Sequence, residues 1–229
     1  MPAGDPNRPR TATTPPLERL HMKQYILGGT TMMNDPSTDL EASVQQRFAA
    51  LARNPAKEEH FPVGPDSAKR LGYSAAEIDS LPAAATESFA GVGNPFSLGE
   101  PRPGQIVLDL GCGAGMDSMW AARRVGPTGK VIGVDMVEEM LAKARRNAAA
   151  AGAANTEFLK GRGDELPVAA GSVDLVITNG VLNLCVDKAK VLAELLRVLR
   201  PGGRLQMADI VLEPHVTPEE LAGKGAWSD

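Results

Sequence analysis

The stretch Ile106-Val-Leu-Asp-Leu-Gly-Cys-Gly-Ala-Gly115 limits most sharply what this chain can fold into. Five residues suited to a buried strand run directly into three glycines spaced two apart. A helix-forming run, Met116 to Arg124, follows at once. Strand, glycine turn and helix open a βα unit of the kind that binds nucleotide-like ligands. Glycine permits positive φ in the turn and lets a ligand approach the backbone closely. The spacing narrows the ligand. A dinucleotide fingerprint, G-x-G-x-x-G, needs its last glycine where this chain has Met116. The pattern Asp109-x-Gly111-x-Gly113-x-Gly115 suits an amino-acid tail and a ribose instead.

A second acid supports that reading. Lys130-Val-Ile-Gly-Val-Asp135 reads as another buried strand, and Asp135 falls 20 residues after Gly115. A carboxylate at that distance accepts hydrogen bonds from ribose hydroxyls. Hydrophobic period and breaker residues predict strands near 105–110, 130–134, 155–159, 173–178 and 203–211. They predict helices near 115–125, 137–151 and 187–199, the last capped by Asp187. Val191, Leu192, Leu195, Leu196 and Leu199 form the apolar stripe of that helix, and Pro201-Gly-Gly203 ends it. This alternation predicts the α/β class: a mostly parallel, Rossmann-like sheet.

Upstream, prolines crowd residues 1–36, which predicts a flexible arm. Met22, Met32 and Met33 leave a later start open. Thr38-Asp-Leu-Glu41 has the form of a capping box, and Leu40, Val44, Phe48 and Leu51 then share one helical face up to Asn54-Pro55. Ser74-Ala-Ala-Glu77 is a second such box, opening a short helix closed by Pro82. Phe89 to Phe96 is rich in turn formers and is expected at the pocket mouth. The expected layout is an arm at 1–36, a helical or lid region at 37–100, a ligand-binding domain at 101–212 and a short segment at 213–229.

The totals exclude other classes. A net charge of −4 with no dense basic run argues against nucleic acid as partner. Two cysteines, Cys112 and Cys185, make no disulfide framework and fit a reducing, cytoplasmic location. No apolar run approaches the roughly 20 residues of a membrane span. No metal site is expected.

Glycine loop, spaced acid and alternation together resemble the class I S-adenosylmethionine (SAM) methyltransferases over residues 101–212. Leu199-Arg-Pro-Gly-Gly203 adds to that resemblance, and four further phrases narrow it: Val134-Asp-Met136, Leu166-Pro167, Thr178-Asn-Gly-Val-Leu-Asn-Leu184 with Asp187-Lys188, and Ala208-Asp209. These look like the arsenite methyltransferases, which pass the SAM methyl to trivalent arsenic held by thiolates. Soft arsenic suits soft thiolate ligands. The resemblance fails at the family's three cysteines. This chain has Glu59-His60-Phe61-Pro62 ahead of Leu71-Gly72-Tyr73, Asn179-Gly180 after the fourth strand, and Trp227-Ser-Asp229 at its end. The end falls about where the third cysteine would come, so an ordinary boundary and a UGA codon read as selenocysteine are both expectations.

The resemblance implies roles. Gly111, Cys112, Gly113 and Gly115 shape the loop around the methionine portion of SAM. Asp109 holds that loop or meets the ligand's amino group through water. Asp135 binds the ribose and Met136 packs on adenine. The family's adenine-reading acid is here Arg162, which donates only. The Gly163 backbone, or failing that Asp164, is expected to read adenine. Asn179 is expected at the methionyl end. Catalytic side chains are not fixed by the sequence, and Cys185 and Asn179 are the candidates. His60 and His215 are expected at the surface. The implied product is S-adenosylhomocysteine (SAH) and the implied partner a small-molecule acceptor. Two other readings stay open: methylation of a quinone-type ring, and SAM binding without activity. A nicotinamide enzyme is disfavoured by Met116. Residues 203–212 would leave a long apolar sheet edge, expected to be covered by a homo-oligomer or by the arm, or else to destabilise a shortened chain.

Overall fold

The computed structural model describes residues 36–58 and 61–211. His60, His215, the arm and the C-terminal segment lie outside them. Among the described residues one sheet forms, from β1 (Ile106–Leu110), β2 (Lys130–Asp135), β3 (Thr156–Lys160), β4 (Val173–Asn179) and β5 (Leu199–Ala208). The order is β3-β2-β1-β4-β5, and every pairing is parallel. The expected Rossmann-like α/β fold is therefore present. Both faces of the central strands are buried, which is why β1 and β4 are mostly apolar, interrupted by Asp109 in β1 and by Asp174, Thr178 and Asn179 in β4.

Three helices connect these strands: α5 (Met116–Val125), α6 (Glu138–Ala150) and α7 (Lys188–Val198). Gly115, in the left-handed region at φ 88°, starts α5, and Gly126 at φ 67° ends it. Glu138 and Glu139 in the first turn of α6 suit its positive end. Asp187 caps α7, its Oδ1 accepting from the Lys190 N–H at 2.9 Å. Val107, Val131, Leu175 and Ile177 pack on one face of the sheet with Met119 and Val125 of α5. Leu108, Leu110, Val134 and Val176 pack on the other with Val191, Leu195 and Val198 of α7.

The apolar stripe of α7 needs one correction. Leu196 is 68 % exposed, and Val198 is buried in its place. Positions 191, 195 and 198 follow the i, i+4, i+7 rule, and 196 falls off that face. The expected start of β5 is also corrected. Leu199 already pairs with Val173, then Arg200–Gly203 bulge outward before Arg204 pairs with Leu175. The strand stops at Ala208, short of the expected 211. Asp209 turns its carboxylate back onto the N–H groups of Leu182 (2.7 Å) and Asn183 (3.0 Å). The apolar edge is thus shorter; Met207 on the strand, and Ile210 and Val211 beyond its end, are exposed.

Before the sheet come α1 (Pro36–Arg53), α2 (Pro65–Arg70), α3 (Ala75–Asp79) and α4 (Ala83–Thr86). α1 begins at Pro36, ahead of the expected Thr38 cap, and proline suits a first helical position. Val44 and Leu51 are buried on its inner face as the period predicts. Ser74 occupies the N-cap of α3 without a side-chain bond. Glu77, its expected partner, pairs with Arg124 of α5 instead.

Candidate active site

The strand order reverses between β1 and β4, and in open α/β sheets ligands bind outside the carboxyl ends of strands at that point. A cavity of about 350 Å³ lies there. Its floor is the β1–α5 loop from Asp109 to Asp117, the β2 end from Val134 to Val137, and Gly161–Asp164 and Asn179–Val181 after β3 and β4. Its cover is Glu41, Val44 and Phe48 of α1 with Ser88–Gly91. Pockets of roughly 300–1,000 Å³ suit small molecules and cofactors.

Gly111, Gly113 and Gly115 all have positive φ, at 72°, 51° and 88°. A side chain at Gly111 would also run into Val181. The Gly111 and Cys112 N–H groups both bond the Val134 carbonyl, tying the loop to β2. Asp135 holds the other side of this turn. Its Oδ2 accepts from the Gly113 N–H and its Oδ1 from the Val137 N–H, each at 2.9 Å. A carboxylate has about four acceptor sites, so a ribose diol fits the remaining two.

Asp109 at the end of β1 is buried and accepts from Ser118 Oγ at 2.6 Å. Facing it is Asp117, which the sequence reading did not single out. Asp117 lies in the first turn of α5 and accepts from Tyr73 Oη (2.7 Å) and Asn179 Nδ2 (3.2 Å). Its only sequence signal was an acid two residues after the last glycine. Tyr73 is fixed edge-on against Phe89 and Trp120, with centroids at 5.5 and 5.3 Å. Burial raises the pKa of all three carboxyls, and the neighbouring Asp117 charge pushes Asp109 up further. Asp117 is pushed up to about 6. Among the described residues, Asp109, Asp117 and Asp135 accept only from neutral donors. Three desolvated carboxyls that no cationic side chain hydrogen-bonds favour a cationic occupant.

The remaining predicted residues divide. Met136 lines the cavity beside Asp135, and Gly163 and Asp164 line it below α1. Asp164 is held by Arg162 Nε at 2.9 Å and Lys190 Nζ at 3.3 Å, and its pKa is lowered, Arg162 being the larger cause. Asn179 lies in the wall, but its amide serves the 89–96 loop. Its Oδ1 accepts from the Val92 and Gly93 N–H groups, and its Nδ2 donates to the Gly93 carbonyl. Both cysteines line the cavity, packed in different clusters. Cys112 packs with Leu141 and Phe158, and Cys185 packs among the α7 residues of a separate cluster. Burial raises both thiol pKa values, that of Cys185 to about 11, so both stay protonated near neutrality. Among the described residues no group of three His, Cys, Asp or Glu could hold a metal.

Residues 101–228 match the methyltransferase domain family, over half of the chain. The chain belongs to the SAM-dependent methyltransferases. Arsenite methyltransferase of Halobacterium salinarum is 49 % identical over 161 residues, covering 68 % of this chain and 41 % of that protein. Demethylmenaquinone methyltransferase of Lactococcus lactis is 42 % identical over 102 residues, covering 44 % of this chain and 40 % of that protein. A crystal structure of an arsenic(III) S-adenosylmethionine methyltransferase from Chlamydomonas reinhardtii is similar too. It shows a TM-score of 0.50 and 37 % identity, over 65 % of this chain and 49 % of that one. This methyltransferase chain thus spans about two fifths of the curated relatives just named. SAM, the cofactor of the family, has a cationic sulfonium, which the three buried carboxyls suit. No helix among the described residues is long and apolar enough to cross a membrane.

Proposed function

We propose that this chain binds SAM in the cavity and transfers its methyl to a small soft acceptor, trivalent arsenic first among them. The identity of 49 % to a relative named arsenite methyltransferase carries that acceptor. Bound there, SAM supplies an electrophilic methyl on a sulfonium. Asp135 takes the ribose hydroxyls and Met136 packs on adenine. The Gly163 backbone and Asp164 meet the adenine edge. Gly111, Cys112, Gly113 and Gly115 give backbone room to the methionyl portion. Asp109 and Asp117 face its cationic groups, and Asn179 shapes that wall through the 91–93 backbone.

The work of the protein is alignment and exclusion of water. Val44, Phe48 and Phe89 supply an apolar cover. A soft nucleophile needs no strong base. Free thiol from solution is expected to supply arsenic ligands in place of the family cysteines this chain lacks. The cytosol, where thiols stay reduced, is the proposed location, and a second copy on the β5 edge the proposed oligomer contact. A second reading, methylation of a quinone-type ring, is favoured by the apolar cover and by the Lactococcus relative.

The test is incubation with SAM, arsenite and glutathione, with mass-spectrometric detection of SAH and methylated arsenic. Both products together support the proposal. SAH formed only with demethylmenaquinone moves the assignment to the second reading. SAH binding without turnover on either acceptor contradicts both.

A further inference from the structure

The polar contacts that hold the two ends of α1 differ in kind, and the exposed Arg53–Glu139 pair (2.9 Å) adds to those of the C-terminal end. At its C-terminal end the ammonium of Lys143 on α6, its side chain 7 % exposed, reaches the Ala52 carbonyl at 3.3 Å. The same ammonium binds Glu87 Oε1 at 2.6 Å and Ser88 Oγ at 2.7 Å. Leu51, one turn from the helix end, is 2 % exposed in a cluster with Ala114, Val137 and Met140. This end is anchored in the core.

Near its N-terminal end the polar hold is Glu41, whose carboxylate receives both terminal nitrogens of Arg162, Nη2 at 2.6 Å. Arg162 reaches across from the β3–β4 connection and also grips Asp164, which Lys190 of α7 holds from behind. Glu41, Arg162 and Asp164 all line the cavity. The Arg162 side chain is 47 % exposed, so water and salt compete for it. One end of the helix is therefore fixed by a buried ammonium and the other by an ion pair at the cavity mouth.

We propose that the Glu41–Arg162 pair is a clasp: α1 pivots at its Lys143 end, and the ion pair sets how fast a bound cofactor leaves. The inference rests on the reading of this cavity as the SAM site. Glu41 and Arg162 are positioning residues that hold the cover shut, and the bidentate fork gives the clasp its direction.

The experiment measures SAH release from the full chain after mixing with excess SAM, in wild type, Glu41→Gln, Arg162→Gln and the double variant. Equilibrium titration of SAH and thermal unfolding accompany each. Glu41→Gln is expected to release SAH about fivefold faster, the upper range for a surface ion pair, with its unfolding midpoint lowered by no more than about 4 °C. Added salt is expected to speed release from wild type and to leave Glu41→Gln unmoved. The double variant is expected to release no faster than the faster single variant, because each breaks one pair. SAH that binds wild type but leaves Glu41→Gln at the wild-type rate, or effects that multiply in the double variant, overturns the clasp alone. SAH that does not bind folded wild type overturns the cofactor reading and the clasp together.

Discussion

Gly111, Gly113 and Asp135 belong to the floor of the cavity, Glu41, Val44 and Phe48 to its cover, and the two are held by different forces. The floor is backbone geometry: positive φ at three glycines, and loop N–H groups bonded to β2 or to Asp135. The cover is one long helix and the 88–91 loop, pinned by side chains from far away in the chain. Glu41 and Arg162 are 121 residues apart, Arg53 and Glu139 are 86, and Lys143 and Glu87 are 56. A floor built this way is rigid and prepared for its ligand before binding. A cover built on exposed ion pairs can open.

The largest effect separates the two regions. Asp135→Ala removes the acceptor for two ribose hydroxyls and the brace on Gly113. Hydrogen bonds to charged groups contribute about 1.5–3 kcal/mol each, so SAH affinity falls by roughly 100-fold or more in calorimetric titration. A loss there no greater than for Glu41→Gln would erase the distinction between floor and cover.

Lys143→Met tests the cover's anchored end. The buried ammonium leaves three acceptors, but Glu87 is half-exposed and solvent takes part of the loss. A destabilisation of about 2 kcal/mol in urea unfolding is expected, below the 3–5 kcal/mol of a fully buried pair. No loss would show that α1 is held by apolar contact alone.

Acidity probes the floor from within. The Asp117 pKa is raised, to about 6, so the unoccupied site keeps its proton across a range where an unfolded chain has lost it. The ligand-free protein therefore loses stability as pH rises from about 4 to 6. A cationic ligand favours the carboxylate, so SAM affinity rises by about tenfold between pH 5 and pH 7, with proton uptake by buffer. A flat profile would remove Asp117 from the ligand's cationic end. Tyr73→Phe should shift this rise to higher pH, since the phenol holds the Asp117 pKa down.

The smallest effect belongs to the fold. Leu196→Glu, on the exposed face of α7, should change stability by no more than about 0.5 kcal/mol. A change of several kcal/mol would mean that another surface covers this face.

These differences mirror what the sequence made legible. Strand period, glycine spacing and the acid at Asp135 are local signals, and each names its own geometry. Asp187 was readable as a cap for the same reason. Asp117 was not, because its meaning comes from Tyr73, 44 residues earlier, and Asn179, 62 later. Leu196 was misplaced because leucine fits either face of a helix until the neighbouring strands are known. The clasp was invisible because Glu41 and Arg162 are ordinary surface residues until the fold joins them.

The central claim is that this floor binds a SAM-type cofactor through Asp135. Titration of wild type and Asp135→Ala with SAH tests it most directly. The account predicts binding at micromolar strength by wild type and none measurable by the variant, both chains being folded. Failure of folded wild type to bind, or equal binding by Asp135→Ala, would contradict it.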